Sequence, residues 1–128
     1  MIFNYWQTDA LDAVEYANGG TNTYWGNIRA QNGHPAPFNM KYLALGNENG
    51  CNFDKFKIYP RYYNLFASKI RAVYPSLILI ANCDISSTTA NVDAFDYHVY
   101  SNPAWFLSNV GIFDRQKRSS GVCKRVSF

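Results

Sequence analysis

Only two glutamates stand in this chain, Glu15 and Glu48. Glu48 closes the run Lys41-Tyr42-Leu43-Ala44-Leu45-Gly46-Asn47 and precedes the turn-rich Asn49-Gly50-Cys51-Asn52. The run reads as a buried strand. Strand side chains alternate, so Tyr42, Ala44, Gly46 and Glu48 are expected on one face. The small Ala44 and Gly46 leave room around a carboxylate at the strand's C-terminal end, where β/α enzymes hold their active sites. A solvated loop glutamate fits the same spacing. Glu15 lies in a polar helical pattern, and a solvated helix face accounts for it.

The same period of two places Asp96, His98 and Tyr100 on one face of a further strand, Phe95-Asp96-Tyr97-His98-Val99-Tyr100. Burying such groups unpaired costs on the order of 1–3 kcal/mol each. They form either a satisfied core network or a set of hydrogen-bonding groups lining a polar pocket. Other chemistries find little support. There is no Gly-x-Ser-x-Gly elbow, no Gly-rich phosphate loop leading into a helix and no histidine pair at metal-ligand spacing. Cys51, Cys83 and Cys123 include no Cys-x-x-Cys, which argues against a zinc cluster and against a disulfide framework.

The elements that must position these groups follow from periodicity. Thr8-Asp9 predicts a helix cap, with Leu11, Val14 and Ala17 at helical spacing behind it. Asn18-Gly19-Gly20 predicts its end in a left-handed conformation. Residues 18–40 are rich in Gly, Pro and Asn and read as one long functional loop. Pro60 opens a helix over about 60–74, with Leu65, Ile70 and Val73 near one face and Tyr74-Pro75 as its stop. Leu77-Ile78-Leu79-Ile80-Ala81 is a continuous apolar run, as in a strand covered on both sides. Pro103 opens a last helix, about 103–117. Helices alternating with doubly buried strands predict an α/β fold with a parallel sheet. Three strands leave open edges, so the expectation is about half of a larger (β/α)8 barrel. A small three-layer α/β domain is the alternative.

Composition bounds the function. The chain has 128 residues, about half of the ~250 that a complete barrel needs. Hydrophobic residues make up 48% and charged residues 16%, which argues against disorder. Ten Tyr, nine Phe and three Trp suit a packed core and also a sugar-stacking surface. The net charge of +3 resides near the C-terminus, in Arg115, Lys117, Arg118, Lys124 and Arg125. The rest holds seven basic against nine acidic residues, which argues against a nucleic-acid face. No run of ~18 apolar residues would span a membrane. The opening Met-Ile-Phe-Asn-Tyr-Trp-Gln lacks the charged region of a signal peptide, which leaves the compartment undetermined.

Taken in order, the residues resemble a known family. Asp9 to Gly19, Trp25-Gly26, Arg29-Ala30, Gly33-His34-Pro35, Pro37-Phe38-Asn39, Lys41-Tyr42 and Gly46-Asn47-Glu48 carry the likeness. Tyr74-Pro75, Ala81-Asn82-Cys83-Asp84, Asp96 to Tyr100 and Phe113-Asp114 continue it. The chain resembles the α-L-arabinofuranosidases of glycoside hydrolase family 51, over about residues 5–122, and Asn-Cys-Asp resembles the plant-like branch. The resemblance implies a (β/α)8 barrel and a retaining two-carboxylate mechanism on arabinan- or arabinoxylan-type substrates. Glu48 would be the general acid/base. Asn47 would bind the sugar 2-hydroxyl, and His98 and Tyr100 would line the pocket. No metal or organic cofactor is implied, and the relatives are expected to be extracellular.

The resemblance also implies a nucleophile Glu on a seventh strand, and no Glu follows Glu48. After Val122 the chain reads Cys123-Lys124-Arg125-Val126-Ser127-Phe128, a divergent tail. The expectation is a partial catalytic domain over 1–128, inactive by itself. A shortened gene model or a change of reading frame would produce such an ending. A non-catalytic sugar-binding remnant, or another barrel glycosidase carrying Asn-Glu, are the alternatives.

Overall fold

The computed structural model describes residues 2–47, 58–85, 90–96 and 99–111, with side chains from Thr8 onward. Glu48, His98, Cys51, Phe113-Asp114 and the tail 123–128 lie outside the described residues. The described elements are α1 (Ile2–Asn18), α2 (Tyr24–Gln31), β1 (Tyr42–Leu45), α3 (Tyr59–Val73), β2 (Ile78–Ala81), β3 (Ala94–Phe95) and α4 (Pro103–Ser108). They fall into two compact units. One comprises Met1–Leu43 and Tyr62–Ile78, the other Ala44–Arg61 and Leu79–Phe128.

In the first unit α1 packs on α2. The predicted cap at Thr8-Asp9 is corrected: the helix already runs from Ile2. It does stop at Asn18, with Gly19 N bonded to Glu15 O at 2.7 Å. The reason for glycine differs from the one expected, because Gly19 is not left-handed. A Cβ on Gly19 would lie 2.6 Å from Glu15 O, and one on Gly26 would lie 2.1 Å from Gly20 O. Backbone carbonyls of the last turn of α1 and of the connection to α2 come too close to admit a side chain at either glycine.

The long loop predicted over 18–40 is also corrected, since it contains α2. Thr23 caps this helix, its hydroxyl accepting from Gly26 N at 3.2 Å. Gly26 and Asn27 lower the helical signal, which hid the element from a reading by propensity.

Helix α3 spans nearly the predicted range, and Tyr74 N closes it on Ile70 O at 2.7 Å. Of the face expected for it, Ile70 is buried but Leu65 and Val73 are not. Tyr63, Ala67 and Ile70, spaced as one helical face, are each 1% exposed, whereas Leu65 and Val73 are 38% and 57% exposed.

The sheet order is β1-β2-β3. β2 pairs with β3 in parallel, Ile80 opposite Ala94 and Ala81 opposite Phe95. The apolar run predicted as doubly covered is so: Leu79, Ile80 and Ala81 are buried at the middle of the sheet. The expectation of a buried strand for β1 is corrected: it is an edge strand among the described residues, with Tyr42 (56%) and Ala44 exposed and Leu43 and Leu45 only half-buried. Helix α4 is capped by Asn102, which accepts from Trp105 N at 2.9 Å, with Pro103 in its first turn. It ends at Ser108, well short of the predicted 117. The Asn109 amide folds back onto Trp105 O and Phe106 O, and its side chain donates to Trp105 O.

Candidate functional site

The candidate residues follow the C-terminal ends of the strands. In the second unit the end of β1 is Leu45, followed by Gly46 at φ +95°. That conformation is left-handed and strained for any residue with a Cβ. It ends the extended alternation, so the period of two that would put Glu48 on the Tyr42 and Ala44 face stops at Leu45. Asn47 follows and is exposed.

β2 ends at Ala81 and leads into Asn82, which is buried. Asn82 N donates to the Tyr59 hydroxyl at 2.8 Å, and that hydroxyl donates to Leu45 O at 2.6 Å. Tyr59 is itself 5% exposed. β3 ends at Phe95, and Asp96 extends its pairing through Asp96 N to Ala81 O at 2.7 Å. At the other end of this pairing the Asp93 carboxylate accepts from Leu79 N at 2.8 Å. A side chain there answers an amide that the two-residue β3 leaves without a rung.

The third predicted strand is therefore shorter than 95–100. Asp96 is half-buried, while Tyr100 lies beyond the strand and is 88% exposed. The shared face of Asp96, His98 and Tyr100 does not extend to Tyr100 in strand geometry. Of the four residues singled out, Asn47 and Tyr100 are described, and Glu48 and His98 lie outside the described residues.

Sequence reasoning missed the groups that brace these ends. Tyr59 carried no signal apart from its place beside Pro60. Asn82 was visible as the polar stop of an apolar run. In the first unit Glu15 is not a merely solvated glutamate: its carboxylate accepts from Trp25 N at 2.9 Å and so helps cap α2. Burial, and secondarily the Glu15 charge, push the Tyr74 pKa above its ordinary 10.0. Arg29 is wholly buried. Its guanidinium donates to the carbonyls of His34 at 3.0 Å, Tyr16 at 2.8 Å, Gly19 at 2.8 Å and Pro35 at 3.0 Å. A hollow of about 440 Å³ in this unit is lined by Asp9, Asp12, Ala13, Tyr16 and Trp25, none of them a predicted site residue.

The segment that delivers the chain to β1 is pinned in the same unit. Asn18 donates to Met40 O at 2.8 Å and accepts from Met40 N at 2.7 Å. Phe38 N bonds to Ala17 O at 2.8 Å. These bonds tie the approach to β1 to the end of α1.

Comparison with known proteins decides the family. The family described as the alpha-L-arabinofuranosidase 1 domain matches residues 2–118. The chain belongs to this family. It is 40% identical over 114 residues to alpha-L-arabinofuranosidase 2 of Arabidopsis thaliana, covering 87% of this chain and 16% of that protein. It is 37% identical over 125 residues to an extracellular exo-alpha-L-arabinofuranosidase of Streptomyces chartreusis, covering 86% of this chain and 14% of that protein. The solved arabinose-bound MgGH51 α-L-arabinofuranosidase superposes with a TM-score of 0.80 at 26% identity, over 95% of this chain and 19% of that one. The arabinofuranosidase-family chain thus spans about one sixth of the length of the curated relatives it matches. Its parallel α/β architecture is that of part of the family 51 (β/α)8 barrel.

Proposed function

We propose that this chain supplies the acid/base side of an α-L-arabinofuranosidase site, with Glu48 as the general acid/base. One observation carries the reading: the family match runs through Gly46-Asn47-Glu48, directly after the C-terminal end of a strand in a parallel sheet. Asn47 binds the sugar 2-hydroxyl. His98 and Tyr100 belong to the sugar pocket.

The chemistry is that of a retaining glycosidase. The protonated Glu48 carboxyl gives its proton to the leaving oxygen while a second, ionised carboxylate attacks the anomeric carbon. The resulting Glu48 carboxylate then takes a proton from water. That water attacks the same carbon and displaces the second carboxylate, which restores both groups. The two carboxyl groups need to lie about 5–5.5 Å apart. Glu15, the other glutamate present, is engaged in capping α2; on this reading the nucleophile is the glutamate that the family resemblance implies, supplied from elsewhere in the complete protein. The 128 residues by themselves release no arabinose from arabinofuranosides.

The substrate class is terminal α-L-arabinofuranosyl groups on arabinan- or arabinoxylan-type chains. The extracellular designation of the Streptomyces relative suits a polysaccharide substrate. The test is Glu48→Gln in the complete protein. Turnover of arabinosides with poor leaving groups falls by about 10²–10⁴, the range for loss of a general acid, while substrates with good leaving groups are still cleaved to the glycosyl-enzyme. Unchanged turnover of the poor-leaving-group substrates would reject the role.

A further inference from the structure

The register at the edge of the sheet exposes an irregularity at the site's rim. Ile78 N donates to Lys41 O at 2.9 Å. In a parallel ladder the amides of one strand meet carbonyls of the other at every second residue. Two such steps along both strands set Asn82 N against Leu45 O. The Asn82 amide donates to the Tyr59 hydroxyl instead, at 2.8 Å, and the hydroxyl passes the bond on to Leu45 O at 2.6 Å. The last rung is thus lengthened by one oxygen atom. The Asn82 amide and the Leu45 carbonyl both keep a hydrogen bond, each to the Tyr59 hydroxyl and not to the other.

Tyr59 suits this insertion. It is 5% exposed and stands at the start of α3. Its ring is rigid beyond two side-chain torsions, so the hydroxyl is delivered with little freedom. The residue lies 14 positions after Leu45 and 23 before Asn82, so one side chain links the first turn of a helix to two strand ends. Directly after the carbonyl it grips, the chain turns at Gly46 with φ +95° and continues into Asn47 and Glu48.

We infer that Tyr59 is a positioning residue for the acid/base: its hydroxyl orients the Leu45–Gly46 peptide and so sets the direction in which the chain leaves the strand at Asn47, the residue before Glu48. This rests on the reading of Glu48 given above. Tyr59 acts through backbone and needs no contact with sugar. Its contribution is confined to the step that depends on proton donation, since misplacing a catalytic group by about 1 Å can cost on the order of 10²-fold.

The experiment is Tyr59→Phe in the complete protein, assayed by kcat/KM on phenyl and on 2,4-dinitrophenyl α-L-arabinofuranosides, with Glu48→Gln in parallel. For Tyr59→Phe the expected loss is roughly 10- to 100-fold on the phenyl glycoside, which needs the acid, and under about threefold on the dinitrophenyl glycoside, which scarcely does. Equal losses on both, or no loss on either, would overturn the inference and leave Tyr59 a structural brace. If Tyr59→Phe does not fold, Tyr59→Gln, whose amide can accept from Asn82 N and donate to Leu45 O but sits on a shorter side chain that draws the Leu45 carbonyl out of place, is expected to fold with the same selective loss. Failure of both variants to fold would assign Tyr59 to folding and overturn the inference too. If Glu48→Gln spares the phenyl glycoside, the reading of Glu48 has failed. If Glu48→Gln loses it and folded Tyr59→Phe does not, only the positioning role has failed.

Discussion

Arg29 shows how one side chain organises a stretch that composition alone describes as loop. A buried cation is costly unless every donor finds an acceptor. Here the acceptors are backbone carbonyls from the end of α1 and from the segment after α2. Charge-assisted bonds of this kind are worth about twice neutral ones. Arg29→Met removes the charge and with it the guanidinium donors to the carbonyls of Tyr16, Gly19, His34 and Pro35. The expected loss is about 3 kcal/mol or more, read as a lower thermal midpoint of the complete protein. An unchanged midpoint would contradict the role. The pair Glu15 and Tyr74 gives a second residue-scale prediction. Because the folded-state pKa of Tyr74 is raised, its neutral phenol contributes stability that is full below pH 10.0 and is lost as pH rises through the folded value. Glu15→Gln keeps an acceptor for Trp25 N but removes the charge, the smaller of the two causes. Tyr74 is then expected to ionise at lower pH than before, yet still above 10.0. A phenolate absorbance titration, differenced against Tyr74→Phe, measures it. No downward change would refute the coupling.

At the scale of elements, the tight turn that joins α1 to α2 depends on what glycine lacks. The 2.1 Å approach that a Cβ on Gly26 would make is to the Gly20 carbonyl, which belongs to backbone and cannot swing aside. Gly26→Ala is expected to cost at least the ~1–3 kcal/mol of an overpacked site. A thermal midpoint within error of the parent would show that the connection can widen freely. Some elements were legible in the sequence and some were not, for identifiable reasons. The apolar run 77–81 announced β2 because a central strand is buried on both faces, and Pro60 and Tyr74-Pro75 bracketed α3 because proline fixes where helices start and stop. α2 was illegible because Gly26 and Asn27 answer to packing and not to helix propensity. The buried stripe of α3 is only partly legible: Ile70 lies on it as expected, but Tyr63 and Ala67, not Leu65 and Val73, complete it. Alternation was carried too far on β1 and β3, where a left-handed Gly46 and a two-residue strand end the period early.

On the scale of the whole molecule, the sequence order of motifs carried the family, and the match over residues 2–118 bears that out. Periodicity alone reached only an α/β sheet with polar groups near the strand ends. The bracing of those ends by Tyr59 depends on residues far apart in sequence, which spacing cannot reveal. The chain accounts for 16% of the Arabidopsis relative's length, so the proposed reaction is one for the complete protein, and the role proposed for this segment is proton transfer and part of the sugar contacts.

The most direct measurement of that claim is chemical rescue of Glu48→Ala in the complete protein. Azide, which needs no general base, attacks the glycosyl-enzyme at the anomeric carbon and displaces the enzyme carboxylate. With an arabinoside bearing a good leaving group, added azide is predicted to raise turnover of Glu48→Ala and to yield the arabinofuranosyl azide with the substrate's own anomeric configuration. An azide of inverted configuration would mark Glu48 as the nucleophile instead, and wild-type turnover without azide would show that it takes no part in the chemistry.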